Sequence, residues 1–277
     1  MPELPEVETV RRGLNQLTLH QPITSGEVLL ARTVAYPFAA DQFIGGLKGS
    51  TIESWIRCGK YLLAELSSSA WLGVHLRMTG QLLWLSQEEP LHKHTRVRLF
   101  FGKEQEIRFV DQRTFGKMWY IPSGVVREKI ITGLGKLAID PFAVEFTPEY
   151  LATKLAKVRR PIKTALLDQS IVAGLGNIYA DEALFKSGIL PTTICTNIGE
   201  NQIRSLRMAI IEVLSASIAA GGTTFSNFLN VKGVNGNYGG EAWVYNRAGD
   251  PCKVCGSMIQ RTKLSGRSSH FCPQCQS

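Results

Sequence analysis

The chain has 277 residues, 44% of them hydrophobic and 19% charged, which fits one large or two mid-sized folded domains and excludes disordered and fibrous classes. Thirty-one Lys and Arg against 23 Asp and Glu leave a net charge of +8, which favours polyanionic partners. No stretch approaches the ~18 apolar residues of a membrane span, and MPELPEVETV lacks the charged-then-apolar pattern of a secretory leader, so a cytoplasmic protein with no membrane partner is expected.

Pro5 opens a segment in which Val7, Val10, Leu14 and Leu17 recur at helical spacing. Glu6 and Glu8 lie in its first turn, where the helix dipole favours carboxylates, so a buried amphipathic helix is predicted. From about Gln21 to Ile121, short apolar runs alternate with turn residues. The runs at 61–66, 72–76, 81–85, 97–101 and 107–110 predict strands of an antiparallel sandwich or barrel. Past Gly133 and Gly135 the pattern becomes helical, with helices predicted over 148–157, 161–169, 178–186 and 202–220. In the last of these, Ile203, Leu206, Ile210, Leu214 and Ile218 mark one face. Between two of these helices, AGLGN (173–177) is too rich in glycine for a helix interior. It suits a tight turn whose amides could hold a phosphate, or a plain connector. A Gly/Asn-rich loop at 231–240, expected to be mobile, leads into the last module.

That module carries Cys252, Cys255, Cys272 and Cys275 as two CxxC knuckles sixteen residues apart, the spacing of a four-thiolate zinc site. Two knuckles close a tetrahedral shell and leave no ligand position for water, so one structural Zn²⁺ is expected, not a catalytic one. In a reducing compartment Cys58 and Cys195 read as buried thiols and are assigned no role. Arg261, Lys263 and Arg267 between the knuckles incline the module towards DNA. Lys154, Lys157, Arg159, Arg160 and Lys163 form a second basic run, beside AGLGN. HLRMTG (75–80) and DQRTFG (111–116) each put an apolar side chain, Met78 or Phe115, beside a basic one in a turn. Such residues serve either as packing or, in a protein that extracts a base, as wedges.

MPELPEVE, GKYLL, HLRMTG, DQRTFG, GLGNIYADEALF, GGTT and the zinc motif occur in this order. Together they resemble bacterial formamidopyrimidine-DNA glycosylase from end to end, and the MPELPE start is closer to it than to the sister endonuclease VIII. The resemblance implies an α+β fold. Residues 1–135 would be an N-terminal β-sandwich catalytic domain with flanking helices. Residues 148–225 would be a helix–two-turn–helix DNA-binding domain, and 241–277 a C-terminal zinc-ribbon β-hairpin gripping DNA in the intervening cleft.

It also implies a chemistry. Pro2, made terminal by removal of Met1, attacks C1′ of an oxidised purine nucleotide such as 8-oxoguanine or a formamidopyrimidine. Glu3 transfers a proton at the sugar, and the covalent imine then allows β,δ-elimination to nick the strand. A terminal amine with pKa near 8 is about a tenth neutral at pH 7, against well under about a thousandth for a lysine, so the terminus is the readier nucleophile. Without the resemblance, Pro2 and Pro5 read as helix-entry punctuation and Glu3 as a cap. By the same matching, Lys60 contacts phosphate and aids β-elimination, and Arg267 serves δ-elimination. His94, Arg113, Arg159 and Asn177 are DNA-binding positions, with Met78 and Phe115 as wedges. Glu6 and the loop at 231–238 line the lesion pocket. The family often has a second arginine where this chain has Thr114, so a phosphate contact is expected to be missing.

The expected partner is double-stranded DNA with an oxidised base, met by a monomer at the nucleoid. Two alternatives stand beside it: a glycosylase of the same fold preferring oxidised pyrimidines, and a non-catalytic zinc-dependent DNA-binding or damage-sensing protein.

Overall fold

The computed structural model describes residues 1–223 and 228–277; Thr224, the last residue of GGTT, lies outside them. The chain forms two compact units, Met1–Gly135 with Ala220–Asn237, and Lys136–Ala219 with Tyr238–Ser277.

The first unit opens with helix α1 (Leu4–Leu17), whose Val7, Val10 and Leu14 are buried at the predicted spacing. Two sheets follow. One has the antiparallel order β1–β7–β8–β6, from Ile23–Val28, Thr95–Phe101, Gln105–Asp111 and Gly80–Ser86. The other runs β2–β9–β5–β4–β3, from Val34–Tyr36, Lys117–Ile121, Trp71–His75, Tyr61–Leu66 and Ile52–Cys58, with only β2 and β9 parallel. Strand β7 shows why a sandwich forms: Thr95, Val97, Leu99 and Phe101 are buried, while Arg96, Arg98 and Phe100 between them are less so. These side chains join Leu62, Leu72 and Val74 of the second sheet, Leu14 of α1 and Phe43 of helix α2 (Ala40–Leu47) in one core. Short helix α3 (Arg127–Ile130) closes the unit's continuous part. The loop expected to be mobile is anchored at both ends. Val231 is 2% exposed and its carbonyl accepts Trp84 N at 2.8 Å, and Asn237 N donates to Ala220 O at 3.0 Å, leaving 232–235 exposed between them.

The second unit holds α4 (Pro148–Leu155), α5 (Ile162–Leu166), α6 (Asn177–Lys186) and α7 (Glu200–Ala219), then the hairpin β10–β11 (Gln260–Leu264, Arg267–Phe271). Thr147 caps α4 by accepting Tyr150 N at 3.1 Å, with Pro148 in the first turn. Helix α5 ends earlier than predicted, because the Asp168 carboxylate accepts Ser170 N at 3.0 Å and turns the chain. Helix α6 is buried from Ile178 to Phe185, which its weak amphipathicity in sequence does not reveal.

Candidate DNA interface and zinc centre

Pro2 and Glu3 are buried at the start of α1. Glu3 and Glu6 form a capping box, in which Glu6 Oε2 accepts Glu3 N at 2.8 Å. The other oxygen of Glu6 accepts Thr223 N at 2.9 Å, so this fully buried carboxylate joins the helix start to the GGTT segment. Both glutamates therefore have a local structural duty in addition to any chemistry.

One turn further on, Glu8 binds Arg11 and Arg12 of its own helix at 2.7 and 2.8 Å and Arg57 of β3 at 3.2 Å. Burial pushes the Glu8 carboxyl up, but the three guanidinium groups outweigh it and hold it at about 2. Arg57 Nη1 donates to Gly59 O at 3.4 Å, in the β3–β4 turn, where Gly59 takes φ +56° and Lys60 follows, 8% exposed. A chain of polar contacts thus runs from α1 through Arg57 to the carbonyl of Gly59, the residue before Lys60. Beside Lys60, burial lowers the His75 imidazole to about 3, helped by Arg77 and Lys60, and its neutral Nδ1 accepts Arg77 N at 3.0 Å.

The turns of HLRMTG and DQRTFG are tied through Asp111, which is 1% exposed. Its carboxylate accepts Gly116 N at 2.7 Å and the Thr79 hydroxyl, and Thr79 Oγ1 in turn accepts Arg113 N at 2.9 Å. A Cβ at Gly116 would stand 3.0 Å from Asp111 Oδ2 and closer still to the Phe109 ring, so any other residue would have to displace that ring. Arg77 and Thr114, the residues immediately before Met78 and Phe115, take φ +56° and +59°. A left-handed conformation costs a residue other than glycine roughly 1 kcal/mol or more. At both turns the strained residue sets the direction of the apolar side chain that follows. Phe115 is 50% exposed, with the Arg113 guanidinium 5.1 Å from its ring centroid. Sequence reading left Asp111 and Thr79 without a role; an Asp five residues before a turn glycine was the available signal.

Next to these turns lies a hollow of about 500 Å³, lined by Thr79, His92, Lys93, His94, Gln112 and Asn235 among others. It brings His94 together with the exposed part of the 231–238 loop. Partial desolvation, Arg96 and Lys93 lower the His94 imidazole, which favours its neutral form.

In the second unit the basic run divides. Lys163 is fully buried, donating to Asp181 Oδ1 at 2.5 Å and to Asn177 O at 2.7 Å, and Arg160 pairs with Asp168 at 2.5 Å. The reading of these five cations as one surface run is therefore corrected for Lys163, which is a structural ion, because a buried ammonium persists only beside a counter-charge. Arg159, Lys154 and Lys157 remain exposed. Asn177 opens α6 after Gly176, and its Nδ2 lies 3.4 Å from Ser268 Oγ, next to Arg267. Its Oδ1 is buried with no hydrogen-bond partner. Ser265 and Gly266, both at positive φ, make the tight turn that leaves Arg267 exposed at the hairpin end.

The Sγ atoms of Cys252, Cys255, Cys272 and Cys275 lie within 4.8 Å of one another. A tetrahedral zinc with bonds of about 2.3 Å needs sulfur separations of about 3.8 Å; the pairs Cys252–Cys275 and Cys255–Cys272 are 3.9 and 3.4 Å apart. Four soft donors at this spacing fit one structural Zn²⁺ that would lock the two knuckles together. Phe185, Val244, Ile259 and Trp243 pack around them.

Three family models match in order: the formamidopyrimidine-DNA glycosylase N-terminal domain over residues 1–118, the formamidopyrimidine-DNA glycosylase H2TH domain over 137–228, and the zinc finger found in FPG and IleRS over 249–277. A Nostoc sp. protein is 73% identical over 282 residues and one from Trichodesmium erythraeum 61% over 299, with each chain covered in full; both are named formamidopyrimidine-DNA glycosylase. Among solved structures, a Lactococcus lactis FPG mutant bound to DNA containing Fapy-dG superposes with TM-score 0.91 at 37% identity over all of both chains. The MutM (FPG) protein of Thermus thermophilus gives 0.88 at 35%, covering 99% of this chain and 98% of that one.

Fold, zinc centre and relatives define a base-excision repair enzyme, a DNA glycosylase with lyase activity at abasic sites that acts on oxidised purines. The chain belongs to the formamidopyrimidine-DNA glycosylase family.

Proposed function

We propose that Pro2, once Met1 is removed, is the nucleophile. Its nitrogen attacks C1′, the bond from C1′ to the base breaks, and Glu3 manages the proton at the opening sugar. The resulting iminium acidifies C2′. Proton loss there expels the 3′ phosphate, with Lys60 assisting, and a second elimination assisted by Arg267 expels the 5′ phosphate. His94, Arg113, Arg159 and Asn177 hold the duplex, Met78 and Phe115 fill the space of the extruded nucleotide, and Glu6 with the 231–238 loop borders the lesion base. In this reading the three functional segments are 1–135, 148–225 and 241–277, and the zinc keeps the last one folded. The protein works as a cytoplasmic monomer at the nucleoid, since a single damaged nucleotide offers no two-fold symmetry for a dimer to match.

The observation that supports this reading most is the polar chain Glu8, Arg57, Gly59, which ties the helix that follows Pro2 to the turn bearing Lys60. A nucleophile and an elimination acid must serve one sugar, and this brace couples their supports. Borohydride trapping on an 8-oxoguanine duplex tests it: a covalent protein–DNA adduct is expected, lost in Pro2→Gly and in protein retaining Met1. Binding with no adduct would favour the damage-sensing alternative, and faster trapping on an oxidised-pyrimidine duplex would favour the sister specificity.

A further inference from the structure

Thr114 presents two facts that call for one explanation. A β-branched residue at φ +59° is a backbone outlier, since the branch crowds the carbonyl that glycine or asparagine would accommodate. Its hydroxyl accepts a hydrogen bond from Arg32 Nη2 at 2.5 Å, across from a separate segment, the short turn Ala31–Thr33 that follows β1. That turn is fastened a second time, because Lys117 Nζ donates to the Arg32 carbonyl at 2.5 Å. Arg32 is exposed, and among the described residues no carboxylate pairs with it. The acid of this turn, Asp111, is buried and engaged by Thr79 and Gly116. Arg113 lies over the exposed Phe115 ring, and Arg32, held by Thr114 and Lys117, lies beside the residue before it; no carboxylate among the described residues forms an ion pair with these three cations.

A guanidinium carries five N–H donors in a planar fork suited to phosphate. Thr114 accepts from Nη2 and leaves the other donors of the exposed side chain for a ligand. Resting on the DNA-repair reading above, we propose that Arg32 grips a backbone phosphate of the duplex beside the Phe115 wedge, and that Thr114 is the residue that aims it. The charge expected from a second arginine in DQRTFG is then supplied from another segment of the chain, and the position of Thr114 is not a lost contact.

Binding of the full-length zinc-loaded protein to a duplex carrying a tetrahydrofuran abasic analogue, read by anisotropy from 50 to 300 mM salt, tests this. Arg32→Ala should weaken affinity about fivefold or more and reduce the slope of log Kd against log salt by about one. Arg32→Lys should restore most of the slope. Thr114→Ala removes both the hydroxyl and the branch, so it should hold or raise Tm while weakening binding about twofold to threefold, opposite signs that a packing role would not produce. The double variant should bind no worse than Arg32→Ala, since the two act as one unit. An unchanged slope in Arg32→Ala against a steep wild type overturns the phosphate contact alone. Additive losses overturn the aiming role of Thr114, and a wild type that fails to bind the duplex removes the DNA reading itself.

Discussion

At the Met78 and Phe115 turns, backbone strain sits one residue before the side chain that matters, at Arg77 and Thr114. Such strain survives only where surrounding contacts over-determine it, and Asp111 supplies those contacts by joining both turns. Phe115, half exposed, adds little to the core. Phe115→Ala should therefore slow single-turnover release of 8-oxoguanine at least tenfold, while affinity for undamaged duplex stays within about twofold of wild type; equal losses on both would make Phe115 a packing residue. Two buried groups contribute to the acid stability. His75 has its pKa depressed from 6.5 to about 3, so its contribution is complete above pH 6.5 and declines as pH falls below that value, where the unfolded chain takes up the proton first. Glu8, depressed from 4.5 to about 2, adds its loss only below pH 4.5 and is worth on the order of 2 kcal/mol. Urea unfolding of His75→Asn should thus show a flatter pH dependence between 6.5 and 4.5 than wild type, with the steeper acid limb below 4.5 retained. A parallel pair of curves would remove His75 from the account.

Helix α6 is where the second unit is held together. Asp181 accepts Lys163 Nζ and also His270 N at 3.0 Å from β11, and the next residue, Glu182, accepts the backbone amides of Trp243, Val244 and Tyr245 at 2.8 to 3.0 Å. Adjacent carboxylates thus fasten the hairpin and the chain leading into it to one helix. Asp181→Ala would leave a buried ammonium without its counter-charge, so chemical unfolding of the second unit should show a loss of about 3–5 kcal/mol. Zinc acts on the same segment from its other end. Chelation, or Cys255→Ser, should abolish the ordered hairpin and weaken duplex binding at least tenfold while near-UV dichroism of the sandwich tryptophans persists; full affinity in metal-free protein would count against a DNA-gripping hairpin. The helices of this unit and the CxxC spacing were legible in the sequence because apolar periodicity and thiol spacing are local. The polar fastening was not, since Lys163 belongs to what reads as a surface basic run and finds Asp181 eighteen residues away. Strands β1 and β3 escaped for a related reason: ITSGEV and IESWIRC have half-buried polar positions that blur the two-residue alternation. Helix α2 carries two adjacent glycines, of which Gly46 is required by the close approach of the Tyr120 ring. The catalytic roles proposed for Pro2 and Glu3 come only from resemblance, because in the sequence both read as ordinary residues of a helix start.

Across the whole molecule the net charge of +8 is not spread as free cations. Arg11, Arg12 and Arg57 share Glu8, Arg98 and Arg108 share the buried Glu106, and Lys163 is paired with Asp181. The cations proposed to meet phosphate, Lys60 and Arg32 in the first unit and Arg159 and Arg267 in the second, are a selected minority. Four such contacts imply a slope near about −3.6 in log affinity against log salt, or a loss of about 10²-fold between 50 and 200 mM. The division of the chain into two units makes the expectation sharper. If both engage one duplex at once, the second contact forms at high effective concentration and each unit's cations contribute to the same slope. Arg32→Ala and Arg159→Ala should then each lower the slope by about one, and the double variant by about two, with each variant keeping the wild-type Tm. A slope that responds to one substitution and ignores the other would mean that a single unit carries the grip. If Arg32 is the substitution that responds, steep salt dependence should persist in the presence of chelator, because the zinc hairpin belongs to the second unit.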